Sequence, residues 1–397
     1  ARDLEKITFA ENIKLQYACN NFMNNCYSLK SIDLSPFSEM DSIGYEFMWG
    51  CKSLEQIDLT PFSNLEYIDY CFLNECESLT SIDLSPLNGV KNMNVAHEFL
   101  RDCKSLKEID LNQMEDALKS LTNTPYYFLS QCKGLETIDL SLFSNVEVVL
   151  QGFLEGCSGF SEIDLSPLAN ATKIEDNFLD GCSGLSEIDL SKLSSVENIG
   201  GYFLANNNFT KVNLDPLKEK GVTIDTNNFL RNCKKLKEID LSIFNNITII
   251  NSEFLYGCES LEEIDLSPFS NVYEIHAWFL AKCTGLKEID LSPLKNVTNC
   301  WGLFLQECTG LKEVNLSMFT NLKTMGQSFL LYCRNLTTVD LSSWTSINTI
   351  GTGCFYGCDN LKEVIIGKNI TADTFADSEY SFAVENNDVK SYTDGIG

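Results

Sequence analysis

The sequence predicts an α/β repeat solenoid, a stack of about fifteen short parallel strands with helical or 3-10 turns on the opposite side. Three observations lead there. Thirteen of the 17 cysteines form one series at 25-residue spacing: Cys26, Cys51, Cys76, Cys103, Cys132, Cys157, Cys182, Cys233, Cys258, Cys283, Cys308, Cys333 and Cys358. The spacing stretches to 27 and 29 residues before Cys103 and Cys132, and a rung is missing at the run Asn206, Asn207, Asn208. Self-similarity at one fixed period of this size is the mark of stacked coils. The second observation is a short apolar alternation in every unit. The third is a proline column, Pro36, Pro61, Pro86, Pro167, Pro216, Pro268 and Pro293, which holds seven of the eight prolines.

From residue 258 one unit reads CESLEEIDLSPFSNVYEIHAWFLAK and generalises to CxxLxxIDLSPFSNVxxIxxxFLxx. In LxxIDL, Ile264 and Leu266 alternate with Glu263, Asp265 and Ser267, the period of a strand with one buried face. Pro268 follows, and a residue without an N–H ends a ladder. In the other half, Ile275, Phe279 and Cys283 stand four residues apart, a spacing that puts them on one face of a helical turn. No unit buries its apolar face alone, so stability is a sum over neighbouring coils. Strand segments run from Leu4 in LEKITF to Leu361 in LKEVII, which at about 4.8 Å per strand predicts a stack of about 65 to 70 Å. The solenoid is expected over residues 1–371 with a partial first unit, followed by a degenerate, truncated segment at 372–397. Open coil ends are adhesive, so a longer parent chain or end-to-end packing is expected.

These residues carry a family resemblance. Ile350, Gly351, Cys354, Phe355, Tyr356, Gly357, Cys358, Asp359, Asn360 and Leu361 resemble the IgxxAFxxCxxL turn of the BspA-like, Treponema-type leucine-rich repeat. Other units depart from it, with Phe-Leu for Ala-Phe and 25 residues per coil instead of 23. The tail FAVENNDVKSYTDGI at 382–396 is similar to the segment that follows or separates repeat blocks in that family. The resemblance implies a secreted or surface-displayed protein of bacteria or parasitic protists, used in adhesion, host-protein binding or coaggregation. No adhesive residue carries over to a numbered position. A cytoplasmic interaction scaffold is the alternative location.

Charge and motifs exclude other classes. With 56 acidic against 29 basic residues, a net charge of −27 has the wrong sign for nucleic acid. No apolar run is long enough to span a bilayer. GxSxG, HExxH, P-loop and dinucleotide fingerprints are missing, and His97 in AHEFLRDC has no second histidine beside it. No enzyme and no cofactor are expected.

Many cysteines in a secreted chain ordinarily imply disulfides. Stacked rungs, however, keep Cβ atoms about 4.8 Å apart, beyond the usual spacing of about 3.8 Å. Buried free thiols filling a narrow corner of the coil are the expectation. Cys19, Cys71, Cys300 and Cys354 lie off the ladder.

The Asp of IDL recurs with a Glu two residues earlier, giving the pairs Glu108 and Asp110, Glu162 and Asp164, Glu187 and Asp189, Glu238 and Asp240, Glu263 and Asp265, Glu288 and Asp290. Asn213 and Asn315 fill two rungs of the Asp column. Unit charges about 5 Å apart repel by roughly 0.8 kcal/mol even in water. Three uses fit such a face: a solvated surface whose Asp side chains bond the following Ser and backbone, Ca²⁺ held between rungs, or a docking surface for a basic protein partner. Against Ca²⁺ stands the lack of a DxDxDG loop.

The two longer units, at 88–97 and 112–127, should bulge side by side, with Met114, Lys119, Tyr126 and Tyr127 as contact candidates. Trp49, Trp278, Trp301 and Trp344 fall in different columns and form no stacking platform. Sequons occur at Asn170, Asn208, Asn246, Asn296, Asn315, Asn335 and Asn369. Glycans are expected at Asn170, Asn246 and Asn296, in the turn after the strand, and at Asn369, while Asn315 sits in the strand itself. The function expected is a non-enzymatic cell-surface or secreted protein that mediates adhesion or protein binding through its acidic strand face. Its alternative is a structural protein that self-associates end to end into filaments or a surface layer.

Overall fold

The computed structural model describes residues 2–374, apart from residue 12 and residues 16–19. Its coils form two compact units, Ala1–Asn207 and Asn208–Gly397. The described residues hold fifteen short strands, four of them in the LxxIDL segment, and their pairing is parallel, as the repeat predicts. Register follows the sequence period. In the first unit Ser42 pairs with Tyr67 and Lys173 with Asn198, and in the second Glu274 pairs with Asn299, each pair 25 residues apart.

Most regular strands lie in the NVxxI segment, as at Lys173–Ile174 and Glu274–Ile275, and not in LxxIDL. Ladders on the IDL side join Lys211–Val212 to Glu238–Ile239 and Thr338–Asp340 to Glu363–Ile365. Elsewhere IDL runs straight into a 3-10 turn, Ser166–Leu168 or Ser267–Phe269, opened by the Ser-Pro pair. Proline at the first turn needs no N–H partner and arrives with a helical φ.

Ile275, Phe279 and Cys283 are all buried, but the backbone that brings them together is not a helix. Trp278, Leu280 and Lys282 have φ of 63°, 51° and 60°, and the same alternation recurs in coil after coil. A left-handed non-glycine residue costs about 1–2 kcal/mol. Two-way bonding offsets that cost: the N–H of Leu280 donates back to Phe254 O at 3.1 Å and that of Lys282 forward to Gln306 O at 2.7 Å. Each coil is thereby tied to the one before and the one after.

Phenylalanine fills the centre. Phe47, Phe72, Phe99 and Phe128 stack at 5.8, 5.5 and 5.9 Å in the first unit, and Phe229, Phe254, Phe279 and Phe304 at 5.5, 6.1 and 5.3 Å in the second. The phenylalanine of the 3-10 turn meets this column edge-on, as Phe143 meets Phe128 at 5.7 Å.

The cysteines form a second column. The Cys283 thiol donates to Leu255 O at 3.2 Å, Cys308 to Leu280 O at 3.1 Å and, in the first unit, Cys157 to Leu129 O at 3.2 Å. Each acceptor is the carbonyl of a left-handed leucine one coil back. At the missing rung Asn207 is buried and its Nδ2 donates to Leu179 O at 2.8 Å, which replaces the thiol bond. The sixteen described cysteines are buried and unbridged. Burial pushes the thiols of Cys132, Cys283 and Cys300 up to about 12.

The two long units take up their extra residues as helical turns, Met93–Val95 in one and Leu111–Met114 with Glu115–Leu118 in the other. They do lie side by side, because the Asn88 side chain exchanges hydrogen bonds with Asp116 at 2.9 and 3.1 Å. Next to them the Asn92 amide bonds both the N–H and the C=O of Ile68, at 3.0 and 2.8 Å, and so stands in for a neighbouring strand. Ala372–Thr374 make one 3-10 turn. The remainder of the degenerate segment, and Cys19, lie outside the described residues.

Candidate functional site

The acidic face is built from two columns with different duties. Asp265 Oδ1 accepts the Ser267 N–H at 2.8 Å and its Oδ2 accepts the Ser267 hydroxyl at 2.8 Å. Asp110, Asp164, Asp189, Asp240 and Asp290 make the same bond to the N–H two residues on, at 2.8 to 3.0 Å. Each closes an Asx turn that starts the 3-10 segment. Hydrogen bonds from the following serine backbone lower the carboxyls of Asp164 and Asp290 below their usual range, the serine hydroxyl leads the same effect at Asp189, and the Asp240 carboxyl, bonded to the Ser242 N–H, is lowered too. Asn213 and Asn315 keep the bond at 3.0 Å with no charge. The column therefore requires an acceptor oxygen, not a negative charge.

Glu108, Glu162, Glu187, Glu238, Glu263 and Glu288 are exposed. Glu238 pairs with Lys211 at 2.6 Å, which lowers its carboxyl. Shallow grooves lie over this face in each unit. One of about 410 Å³ is bordered by Glu162, Asp164, Asp189 and Lys192, and one of about 710 Å³ by Lys211, Asn213, Glu238, Asp240, Glu263 and Asp265. Among the described residues no group of three or more His, Cys, Asp and Glu side chains is arranged to hold a metal ion.

The loop candidates separate. Met114 is fully buried, because Met114, Ala117 and Leu118 share the inner side of the helical turn. That burial removes it as a surface contact. Lys119 is exposed and pairs with Glu115 and Asp116, each at 3.3 Å. Tyr126 packs edge-on to His97 at 4.8 Å, and Tyr127 lies under the Arg101 guanidinium at 4.7 Å. The sequon residues Asn170, Asn246, Asn296 and Asn369 are exposed. Asn170 and Asn296 already donate to carbonyls one coil back, Ser144 O at 2.7 Å and Ser270 O at 2.8 Å.

The sequence reading passed over a second cluster. In the second unit Trp301 is 63% exposed, its Nε1 donates to Glu274 Oε1 at 2.7 Å, and its ring lies 5.3 Å from His276. Aligning the residue after the buried Ile275 with its equivalents, Trp301 and Gly326, would have shown it.

Stacked coils with parallel two-residue strands, a phenylalanine column and an Asx-capped 3-10 turn define a leucine-rich-repeat solenoid. The chain belongs to the BspA type leucine rich repeat family, whose six-copy region model matches residues 1–95, 91–210, 152–287, 197–319 and 248–383. No curated protein matches it significantly. Among solved structures, a leucine-rich repeat protein from Bacteroides ovatus has a TM-score of 0.51 at 21% identity, covering 92% of this chain and 80% of its own. A leucine rich cell surface protein from Faecalibacterium prausnitzii has a TM-score of 0.49 at 16% identity over 94% of this chain and 86% of its own. The functional domain of InlJ from Listeria monocytogenes, described as including a cysteine ladder, has a TM-score of 0.46 at 20% identity over 82% of this chain and 63% of its own. Among the described residues no helix is long and apolar enough to cross a membrane.

Proposed function

We propose that the chain is a non-enzymatic protein of the cell surface or the extracellular space, and that it adheres to a basic protein partner through its acidic strand face. The observation that carries this reading is the division of labour between the two columns. Asp oxygens are committed to the turns, as at Asp265 and Asp290, whereas the Glu column repeats exposed carboxylates from coil to coil. A repeated like charge costs stability unless something of opposite sign meets it. Family membership supports the outside location. Glycans at Asn170, Asn246, Asn296 and Asn369 belong to the same proposal, and they would stand on turns beside the strand face. Ca²⁺ is not needed for it.

The test is adhesion of beads coated with the chain to an epithelial monolayer, compared with the variant carrying Glu238→Gln, Glu263→Gln and Glu288→Gln. Adhesion should fall about fivefold in the variant and as NaCl rises from about 0.1 to 0.5 M. Equal adhesion of both proteins at all salt concentrations would overturn the proposal.

A further inference from the structure

The outward face of the NVxxI strands in the second unit carries an aromatic site of a different character. Trp301 lies in the strand Asn299–Gly302, which pairs with Thr324–Gln327, which in turn pairs with Thr349–Ile350. The register sets Cys300 beside Met325 and Met325 beside Ile350, so the row of Trp301 continues as Gly326 and Gly351. A Cβ on Gly326 would lie 1.9 Å from Trp301 O, so this position admits only glycine. One side of the indole is met by His276, and its N–H is tied to Glu274. On the other side the row has no side chains. The ring is thus fixed in orientation while remaining 63% exposed.

An indole held in one orientation with its N–H already bonded offers a flat apolar face that a ligand can cover. The side chains bordering the glycine row are uncharged hydrogen-bonding groups, Asn299, Thr324, Gln327 and Thr349, on a protein whose net charge is −27. We propose that Trp301 is a stacking platform for a pyranose ring of a neutral glycan. The C–H face of the sugar, with its small positive polarisation, meets the negative face of the indole. Its hydroxyls reach the amides and hydroxyls of the bordering strands, and the bare backbone of Gly326 leaves room for the ring. With the Glu274 carboxylate already engaged by the indole N–H and His276, the remaining border is uncharged and the glycine row carries no side chains, which suits a polyhydroxyl ligand, whereas a basic peptide would find its charges matched on the IDL face instead.

The test is an isothermal calorimetric titration of the full chain with cellohexaose, maltohexaose and mannohexaose, repeated on Trp301→Ala and Trp301→Phe. A saturable change with at least one sugar is expected. Trp301→Ala should weaken binding about tenfold or more, with Trp301→Phe in between. An unchanged melting temperature in both variants keeps the result independent of folding, because the side chain is exposed. The proposal is overturned by no saturable response to any of the three sugars, by a response that survives Trp301→Ala, or by Trp301-dependent binding of octalysine in place of the sugars. The triple Glu→Gln variant of the acidic face should bind the sugar as the parent does, which separates this site from the adhesion surface.

Discussion

The two extended segments of each coil face water with different backbones and different chemistry. On the NVxxI side successive coils are joined tightly: Thr172 N–H to Glu147 O, Thr298 N–H to Tyr273 O and Asn348 N–H to Lys323 O are each 2.8 Å. On the IDL side the corresponding bonds are longer, Glu136 N–H to Lys107 O at 3.2 Å and Glu262 N–H to Lys237 O at 3.5 Å. Local bonding explains the difference. Asp265 claims the Ser267 N–H for itself, and Pro268 has none to give. A side chain that bonds its own backbone takes donors away from a ladder. The longest ladder on this side, Thr338–Asp340 with Glu363–Ile365, pairs over three residues; neither strand is followed by proline, and Ile365 stands where other coils carry the Asp, although Asp340 keeps its bond to the Ser342 N–H at 2.8 Å. Regular pairing thus concentrates on the face with few charges, and the face crowded with carboxylates is held by turns.

The broadest way to break the comparison is to remove what both faces share. Phe279 is fully buried and stacks between Phe254 and Phe304. Phe279→Ala should cost about 3–5 kcal/mol, read as a lowered unfolding midpoint in urea. Hydrogen exchange should then speed up in both segments of that coil. Faster exchange on the IDL side alone would show that the two faces open independently.

The thiol column gives the next effect. Folded thiols such as Cys132 and Cys283 are held near 12, so they stay neutral where unfolded thiols ionise. A group whose folded pKa is raised contributes stability that is complete below the unfolded value and is lost as pH rises toward the folded one. Melting temperature should therefore fall progressively above about pH 9, and iodoacetamide should label the native ladder far more slowly than the denatured chain at pH 8. Rapid native labelling would contradict the buried column.

The Asp column supplies a smaller and more selective effect. Asp265→Ala should cost about 1 kcal/mol by removing the turn acceptor, while Asp265→Asn should be nearly neutral, as Asn213 and Asn315 already are. Because Asp164, Asp189, Asp240 and Asp290 have lowered folded pKa values, their contribution is present above the unfolded value of about 4 and disappears as pH falls below it. Thermal melts between about pH 6 and 2 measure that loss.

The period, the parallel register, the buried cysteines and even the substitution of Asn207 for a thiol can be seen in the residues, because each rests on side-chain identity repeated at fixed spacing. The hand of the backbone cannot. Ile275, Phe279 and Cys283 at four-residue spacing satisfy a helix, yet Trp278, Leu280 and Lys282 turn left-handed. Leucine gives no sign of this, and the hints are the glycines and asparagines at the outer positions, such as Gly156, Gly181, Gly257, Asn25 and Asn232. Met114 reads as a loop residue until the helical turn that buries it is known. Trp301 shares no column with another tryptophan, and its meaning lies in its row, between His276 and Gly326.

The smallest expected effect sharpens the comparison most. Glu263 and Glu288 occupy equivalent places in adjacent coils on the IDL face, and like charges at about 5 Å repel by roughly 0.8 kcal/mol in water. Salt screening reduces this to a few tenths of a kcal/mol. The double variant Glu263→Gln, Glu288→Gln should therefore melt slightly higher than the parent at low salt and equally at high salt. If adhesion falls in the same variant, the column lowers stability and raises binding. If stability falls instead, the carboxylates hold the face together, and the separation of duties between Asp and Glu fails.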